Sequence, residues 1–586
     1  MHNKYFLMWT SILLLALLLR LYGLDLNPVG LNHDDELHEI INAKSLALTG
    51  SHAPGRVAGI LTQNDQCPGN CVYGELGSYI LIPWMLIFPL DMFWSKIPFV
   101  LASVGIVFFT GKLFENLSKN KEIGMLVGLF VAINPWAIHF GRTAYFTTFS
   151  YLFYLMGAYF FTRHKSYKSN LILGTLFSNL ASLFYFGTKP ILPLIILWGI
   201  IYNLYQFKLR HIKFTLLLAL LVLIITGGYL LILSNSYAGR RLAEIGAGTP
   251  SSIKALVDQQ RQVSLDIPLM RDAFINKYTV QTGILIEKYL GFFSPTFLFL
   301  RGQGSTDNYY ISNHGYHYLV DLPFLILGIM AISANLANAL FILLLLALSV
   351  FPAAVKISGD TIYSVRTGLA YPILTGITAW GFYFCYTKIS SKFSVSKIFI
   401  ALVIGLYILS LIYFLVMYWY RSPFDKNVGW HFHKRVVANY ITRLQNEGNE
   451  EIIVVTAQPD VTFNTYVFYS GFYNNKATIN EINNTYLSQS YEFRGVRFVG
   501  SCDAITKHDQ ETVIFIEQGM ECDFDQKKSD KIANPRDGGG MYNILNESLC
   551  SSYTKGKYPY PRYIGDFKIE NLSKEKFCQT WITNPD

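Results

Sequence analysis

Long apolar runs separated by short polar segments make up the chain as far as about residue 420. Runs such as Phe214–Leu233 and Ala337–Val355 reach the roughly 18 predominantly apolar residues that a helix needs to cross a bilayer. This pattern predicts a polytopic α-helical membrane protein with about eleven spans. The predicted spans are Tyr5–Leu24, Ile97–Leu113, Ile123–His139, Tyr145–Thr162, Leu171–Phe186, Ile191–Gln206, Phe214–Leu233, Tyr318–Ser333, Ala337–Val355, Gly368–Tyr386 and Ile398–Tyr418.

Basic residues predict the orientation of these spans. Four loops are rich in Lys and Arg, and all four lie on the side of the N-terminus if Gly77–Phe88 is not a span. That segment is short and contains Pro83, which favours a helix at the membrane interface. The positive-inside rule then places the N-terminus and these loops in the cytoplasm of a cell-membrane protein. The basic residues are Lys112, Lys119, Lys121, Arg163, Lys165, Lys168, Lys208, Arg210, Lys213, Lys388, Lys392 and Lys397.

This topology divides the chain into a transmembrane module, 1–418, and an extracytoplasmic domain, 419–586. The module presents two long loops on the outer side, 25–96 and 234–317. The first apolar run lacks a small-x-small cleavage site and is longer than a signal-peptide core, so we expect an uncleaved helix. The net charge of +9 comes largely from the loops between spans, so membrane orientation explains it better than nucleic-acid binding.

The C-terminal domain differs sharply from the preceding segment because it is polar. Its runs Glu451–Thr456 and Thr512–Glu517 are typical of short buried strands bounded by polar turns. A small α/β domain is therefore predicted. The Lys-, Asp- and Gly-rich stretch 526–540 predicts a loop.

Cysteine usage supports the same topology. Of seven cysteines, only Cys385 lies in a predicted span, and the other six lie in segments assigned to the outer side. An even number in an oxidising compartment suggests up to three disulfides. A metal or redox site at Cys67 and Cys71 would lack a second Cys or His pair at ligand spacing. The pairs considered are Cys67–Cys71, Cys502–Cys522 and Cys550–Cys578.

The first outer loop carries an acidic cluster shortly after the first span, from Asp34 to Glu39. Such a cluster beside a membrane is costly unless it is solvated, paired or used. One interpretation is a solvated helix start, because acidic residues favour the first turn. The other is a general base or metal ligand near a lipid headgroup. The candidate catalytic residues are Asp34, Asp35 and Glu36.

Four cations lie on the outer side near the spans: Arg142, Lys189, Arg301 and Arg366. Each alone could be an interfacial cation whose stem lies along apolar surface. Together, beside the acidic cluster, they would suit a lipid phosphate, because guanidinium groups bind phosphate oxygens with paired hydrogen bonds. They are the candidate residues for binding the phosphate of a donor.

The remaining polar candidates are weaker. His314 and His317 have a spacing that could serve zinc, but no clear third ligand accompanies them, which favours ordinary interfacial residues. His33, Tyr145 and His314 are candidates for substrate contact. The chain has no P-loop, no GxGxxG in a βαβ context and no HExxH. We expect no required cofactor; a divalent cation could take part, and metal ligands stay unassigned.

Several short motifs occur in a consistent order over residues 1–420. They are Asp35-Glu36 followed by Ala43–Gly50, Gly77–Pro89, Asn134–Arg142, Phe292–Arg301, Phe351–Ala354, and Arg366 with Pro372. As an ordered set, these motifs resemble those of the GT-C membrane glycosyltransferases. The similarity is to the branch of protein O-mannosyltransferases and lipid A aminoarabinose transferases, glycosyltransferase family 39 and its bacterial relatives.

This resemblance implies a transferase that moves a sugar from a polyprenyl-phosphate donor to an acceptor outside the membrane. The family's first-loop Asp corresponds to Asp35, with Asp34 adjacent. Many members carry a second acidic residue after the third span, but Thr143–Thr148 contains none, which leaves Asp34 and Glu36 as substitutes. The expected reaction is an inverting single displacement in which Asp35 accepts the acceptor's proton. The acceptor (protein, lipid or glycan) stays open.

Two other classes of protein are alternatives to a transferase. A transporter or flippase of lipid-linked or anionic substrates would place polar residues near mid-membrane on broken helices. Here the apolar cores are nearly free of charge, and the notable ionisable residues cluster at one face. A surface or sensor protein anchored by many helices would need neither the acidic cluster nor the outer cations. Transfer is therefore the favoured hypothesis.

Overall fold

The segment before residue 426 is mostly helical. A computed structural model of the chain describes residues 2–32, 36–53, 56–57, 76–164, 166–207, 212–234, 250–264, 267–303, 311, 314–355, 362–389, 393–425, 429–448, 451–488, 490–504, 512–523 and 529–584. The helices of this segment are α1 (His2–Leu21), α2 (His38–Thr49), α3 (Gly77–Ile87), α4 (Ile97–Ser118), α5 (Lys121–Ile133), α6 (Pro135–Phe140), α7 (Thr147–Thr162), α8 (Tyr167–Phe184), α9 (Leu192–Gln206), α10 (Ile212–Ser234), α11 (Pro250–Gln262), α12 (Pro268–Phe274), α13 (Lys277–Phe292), α14 (Asp321–Ser333), α15 (Leu336–Ala354), α16 (Ala370–Ile389), α17 (Phe393–Val416) and α18 (Ser422–Asp425). Shorter 3₁₀ or π segments are Phe186–Ile191, Thr296–Leu300 and Met417–Arg421.

Each predicted span falls on one or more of these helices, which confirms a multi-pass membrane protein. Within the described residues, six helices are long and apolar enough to cross a membrane by length and composition. The predicted number of about eleven spans is not confirmed, because several helices are shorter than expected. For example, the predicted span Ile123–His139 divides into α5 and α6. The Asn134 side chain accepts a hydrogen bond from Ala137 N (3.1 Å), and Pro135 begins the new helix.

Close backbone contact joins α14 to α16. A Cβ atom on Gly381 would lie 1.9 Å from the carbonyl oxygen of Phe324, and one on Gly328 would lie 2.0 Å from that of Ile377. Helices in lipid gain little from hydrophobic burial, so they depend on this tight packing of small residues. The glycines therefore set how closely these two helices approach.

The first long loop contains α2, a short hairpin of β1 (Ser51–His52) and β2 (Arg56–Val57), and α3. The helix α2 ends at Gly50, whose φ of 75° is a left-handed conformation that glycine adopts without strain. The eleven residues of α3 are too few to cross a bilayer, which agrees with the prediction for Gly77–Phe88. Leu86 and Ile87 at the end of α3 are exposed on the protein surface.

The chain beyond residue 429 builds a mixed sheet flanked by helices, as predicted. The sheet order is β4-β5-β3-β6-β8-β7-β9, with parallel pairing of β3 to both β5 and β6 and antiparallel pairing elsewhere. The strands are β3 (Ile452–Val455), β4 (Glu492–Phe493), β5 (Val496–Val499), β6 (Val513–Glu517), β7 (Asp530–Ala533), β8 (Gly540–Leu545) and β9 (Ile582–Thr583). The helices are α19 (Phe432–Asn446), α20 (Pro459–Tyr469), α21 (Lys476–Ser488) and α22 (Lys574–Trp581), with 3₁₀ turns at Phe472–Asn474, Cys502–Ala504, Ile564–Phe567 and Ile569–Asn571.

The predicted strands Glu451–Thr456 and Thr512–Glu517 correspond to β3 and β6. The prediction of a loop over 526–540 was wrong in part, because β7 lies inside it. In β7, Ile532 and Ala533 are buried, although Asp530 and Lys531 make the local sequence polar. Pairing with β8 and β9 therefore outweighs the local composition.

Two of the three disulfides considered are present, Cys502–Cys522 and Cys550–Cys578. The first joins the end of β5 to the end of β6, and the second joins the segment after β8 to α22. Cys67 and Cys71 lie outside the described residues. Cys385 is a free cysteine on α16.

Replacing both Cys550 and Cys578 by Ala should lower the free energy of unfolding of the C-terminal domain by about 2–4 kcal/mol, because the unfolded segment gains conformational freedom. Thermal unfolding of the purified full chain, with limited proteolysis to locate the first cleavages, measures the effect. Cys385→Ala is the matched control and should leave the unfolding temperature unchanged. An equal unfolding temperature for the double variant and the parent would contradict the prediction.

Candidate functional site

Glu36 attaches the acidic segment of the first loop to the transmembrane helices. Its side chain is fully buried. One carboxylate oxygen accepts a hydrogen bond from the backbone N–H of Ala144 (2.5 Å), and the other accepts one from the N–H of Asn32 (2.8 Å). Ala144 lies between α6 and α7, so the segment contacts the chain just before α7 begins. His33, Asp34 and Asp35 lie outside the described residues; in the chain they directly precede Glu36.

Glu39 joins two parts of the first loop. Its carboxylate accepts a hydrogen bond from the Ser78 hydroxyl (2.5 Å) at the start of α3. A Cβ on Gly77 would lie 3.1 Å from both Glu39 oxygens, so the small residue admits the carboxylate. Thus two of the four acidic residues of the cluster, Glu36 and Glu39, accept hydrogen bonds within the protein.

Arg142 is fully buried, and its guanidinium donates hydrogen bonds to backbone carbonyls of α1 and the first loop. The acceptors are Leu19, Arg20, Tyr22, Gly23 and Asn27, at 2.7 to 3.4 Å. The guanidinium also lies 4.4 Å from the ring centre of Trp419. Its hydrogen-bonding capacity is thereby used within the protein, so this geometry gives Arg142 a role in holding the loop.

Two buried cations that sequence reasoning missed lie beside the same loop. Lys96 precedes α4, and its ammonium lies 3.4 Å from the carbonyl oxygens of Leu24 and Pro28. Burial lowers the pKa of Lys96 to about 7, and nearby Glu36 partly opposes this shift. Arg435 on α19 donates to the carbonyl of Val29 (2.5 Å). The sequence signal that could have identified Lys96 is its position between the polar loop and the apolar run of α4.

Loops carrying Lys189 and Arg366 pack on neighbouring turns of α7. The Tyr154 hydroxyl donates to the carbonyl of Thr188 (3.2 Å), and the Tyr151 hydroxyl donates to the carbonyl of Val365. Lys189 is buried, with its ammonium 4.6 Å from the ring centre of Phe186 and bonded to the hydroxyl of Tyr229. The structure therefore brings the loops of these two predicted cations to the same part of one helix.

Arg366 is partly exposed and lies over the ring of Tyr363, 5.7 Å from its centre. Within the described part of the chain, its guanidinium has neither an ion-pair partner nor a side-chain hydrogen bond. Arg301 is exposed on a loop joined to that of Arg366, because the Gln303 side chain accepts hydrogen bonds from the N–H and hydroxyl of Ser364 (2.9 and 3.0 Å). Both arginines are thus available for a ligand.

The predicted substrate contacts Tyr145 and His314 are both buried. The ring of Tyr145 lies 6.1 Å from that of Trp430. His314 Nδ1 lies 2.6 Å from the carbonyl oxygen of Gly315, and burial lowers the pKa of its imidazole. His317 pairs with Asp321 (3.6 Å). Among the described residues, no group of three His, Cys, Asp or Glu side chains could hold a metal ion.

The acidic segment and the loops of Lys189 and Arg366 therefore contact different positions near the start of α7. The acidic segment is hydrogen-bonded through Glu36 to the backbone of Ala144. The loops of Lys189 and Arg366 instead contact α7 between residues 150 and 154. At 1.5 Å of rise per residue, the separation along the chain is on the order of 10 Å.

Replacing Arg142 by Lys should destabilise the protein by on the order of 2 to 5 kcal/mol, because an ammonium cannot reach all the carbonyls that the guanidinium bonds. Thermal unfolding in detergent measures the loss. Arg301→Lys makes the same exchange at an exposed position and should change the unfolding temperature little. Equal unfolding temperatures for the two variants would show that the buried hydrogen bonds of Arg142 are dispensable.

No protein-family model and no curated protein matches the chain. Among solved structures, the chain is similar to ArnT, the lipid A aminoarabinose transferase, from Cupriavidus metallidurans bound to undecaprenyl phosphate. The identity is 11% and the TM-score 0.49, over 94% of this chain and 99% of that one. The apo state of that protein matches at 10% identity and TM-score 0.49, over 93% and 98%. The Archaeoglobus fulgidus oligosaccharyltransferase matches at 9% and 0.39, over 80% of this chain and 64% of that one. Both similar proteins are members of the GT-C superfamily, the group that the sequence motifs resemble.

Proposed function

We propose that this chain is a membrane glycosyltransferase that moves a sugar from a polyprenyl-phosphate donor to a hydroxyl acceptor on the extracytoplasmic face of the cell membrane. The observation that carries the proposal is the arrangement around α7. Glu36 binds the acidic segment to Ala144, and the loops of Lys189 and Arg366 pack on the following turns. The transfer needs a base and a phosphate site, and these contacts hold the segments that carry the candidate residues for both near the start of α7.

In the proposed reaction, the Asp35 carboxylate accepts the proton of the acceptor hydroxyl. The acceptor oxygen forms a bond to the anomeric carbon of the sugar as the bond from that carbon to the phosphate oxygen breaks. The electron pair of that bond leaves with the lipid phosphate, and the configuration inverts. Asp34 is the alternative base. Glu36, with both oxygens hydrogen-bonded, acts as a positioning residue.

The lipid phosphate gains negative charge as it departs, so cations near it stabilise the transition state more than the ground state. We assign this role first to Arg366, whose guanidinium is available, with Arg301 on the joined loop and Lys189 across α7. Their location near apolar helices strengthens the interaction, because the local dielectric constant is lower than in water. Arg142 takes no part in phosphate binding in this proposal, because backbone carbonyls occupy it. The cations can neutralise the phosphate without a metal ion.

Asp35→Asn should reduce transfer by roughly 10²- to 10⁴-fold, because the amide cannot accept the proton. The measurement is transfer by the purified protein with a panel of polyprenyl-linked sugars. Expression, membrane insertion and elution as a single species should stay as in the parent. Asp34→Asn is tested in parallel. Near-normal transfer by both variants would show that neither Asp35 nor Asp34 acts as the general base.

Arg366→Ala should raise the KM for the lipid-linked donor about tenfold or more, because a charge-assisted contact with the phosphate is lost. The KM for the acceptor should change much less. Arg497→Ala is the control, since this residue lies on β5 in an exposed ion pair with Glu451. A donor KM equal to that of the control variant would rule out phosphate binding by Arg366.

A further inference from the structure

A cleft of about 640 Å³ lies between the first outer loop and the C-terminal domain. Its volume is within the range of small-molecule sites. The walls are joined by Asn474, whose side chain bonds the backbone N–H and carbonyl of Leu90 (2.6 and 3.3 Å), and by an ion pair between Lys568 and Asp25. The cleft therefore has defined walls contributed by both parts of the protein.

The charges that line the cleft are nearly balanced. Arg435 donates two hydrogen bonds to Glu570 (2.8 and 2.6 Å), and Lys568 pairs with Asp25. Asp91 is the remaining charged residue of the lining. Three carboxylates against two cations leave one net negative charge, which disfavours an anionic ligand.

Asp91 offers an available acceptor in this cleft. One carboxylate oxygen accepts hydrogen bonds from the backbone N–H groups of Phe93 and Trp94 (2.9 and 2.7 Å), which fixes the side chain. Within the described part of the chain, the other oxygen has no hydrogen-bond partner. Burial raises the pKa of Asp91, although those two N–H groups oppose the shift. A shielded, oriented carboxylate oxygen favours a ligand that donates hydrogen bonds.

The rest of the lining is amphipathic. Asn571 adds an exposed amide that can donate and accept, while Phe93 and Tyr469 contribute aromatic rings. The Tyr469 hydroxyl bonds the Met92 sulfur (3.4 Å), and its ring lies 5.3 Å from the Arg435 guanidinium. Such a mixture suits a molecule that has many hydroxyl groups and also apolar C–H faces.

The cleft is connected to the acidic segment of the first loop. Arg435, which lines the cleft, bonds the carbonyl of Val29, upstream of Glu36 in the same loop. A ligand in the cleft would therefore contact a residue that also holds the loop of the acidic segment.

We infer that this cleft binds the acceptor of the reaction and that the acceptor part it holds is a neutral, hydroxyl-rich saccharide. The inference rests on the proposed function, because it takes the bound saccharide to be the acceptor of that transfer. Both cations of the lining are paired with carboxylates, so the cleft offers a ligand the Asp91 oxygen and the Asn571 amide.

Binding of neutral disaccharides to the full chain in detergent, with no donor present, tests the inference. The probes are maltose, lactose and N,N′-diacetylchitobiose, with glucose 6-phosphate as the anionic probe, and saturation-transfer NMR is the readout. At least one neutral disaccharide should bind. Asp91→Asn should weaken that binding about tenfold, because one acceptor oxygen becomes a donor. Asn571→Trp, at an exposed position, should abolish it by filling the cleft.

Glu481→Gln is the control, because it removes a charge from an exposed position on α21 outside the cleft, and it should bind the disaccharide as the parent does. Failure of all three neutral probes at tens of millimolar would overturn the inference, as would binding that Asp91→Asn and Asn571→Trp leave unchanged. Preferential binding of glucose 6-phosphate, or of a Ser/Thr-rich peptide that Asn571→Trp displaces, would also overturn it. If the protein binds a saccharide but transfers no sugar, the saccharide site in the cleft stands and the proposed transferase function fails.

Discussion

Two residues of the α6–α7 junction hold both ends of the loop segment 27–36. The Arg142 guanidinium bonds the carbonyl of Asn27, and two residues later the N–H of Ala144 bonds Glu36. Both groups are buried, and an unpaired charge in this environment would be costly, so each contact is strongly specified. The position of the acidic segment relative to the membrane helices depends on this pair of contacts. The loops of Lys189 and Arg366 pack on α7, which follows directly after the same junction.

The C-terminal domain packs on this segment. Arg435 bonds the carbonyl of Val29, and a Cβ on Gly30 would lie 2.1 Å from the carbonyl oxygen of Trp430. Further along the first loop, the Asn483 amide bonds the hydroxyl of Ser45 (3.2 Å). Contacts at several points of the loop mean that the domain contributes to its geometry as well as to the cleft. The domain therefore helps to hold the loop that carries the acidic segment.

The sequence predicted the elements of this structure better than the partners of its charged residues. Apolar runs placed the helices because burial in lipid leaves few alternatives, and buried runs such as Ile452–Val455 placed strands. The polar strand Asp530–Ala533 was missed because its partners in β8 and β9 determine it. Arg142 was predicted as a phosphate ligand. Its carbonyl partners lie more than a hundred residues away along the chain, so no local pattern could reveal them. The same holds for Arg435.

The position of Glu36 bears on the lack of a carboxylate in Thr143–Thr148. The resemblance led us to look for a second acid after the third predicted span, and this segment contains none. The structure brings the Glu36 carboxylate to Ala144, within that segment. The first loop thus supplies both the acid at this position and, in the preceding residues, the proposed base. Because Glu36 accepts hydrogen bonds from two backbone N–H groups, its carboxylate is fixed in place at the start of the segment that leads to α7. A single loop could then serve the two roles for which the resemblance suggests two separate segments.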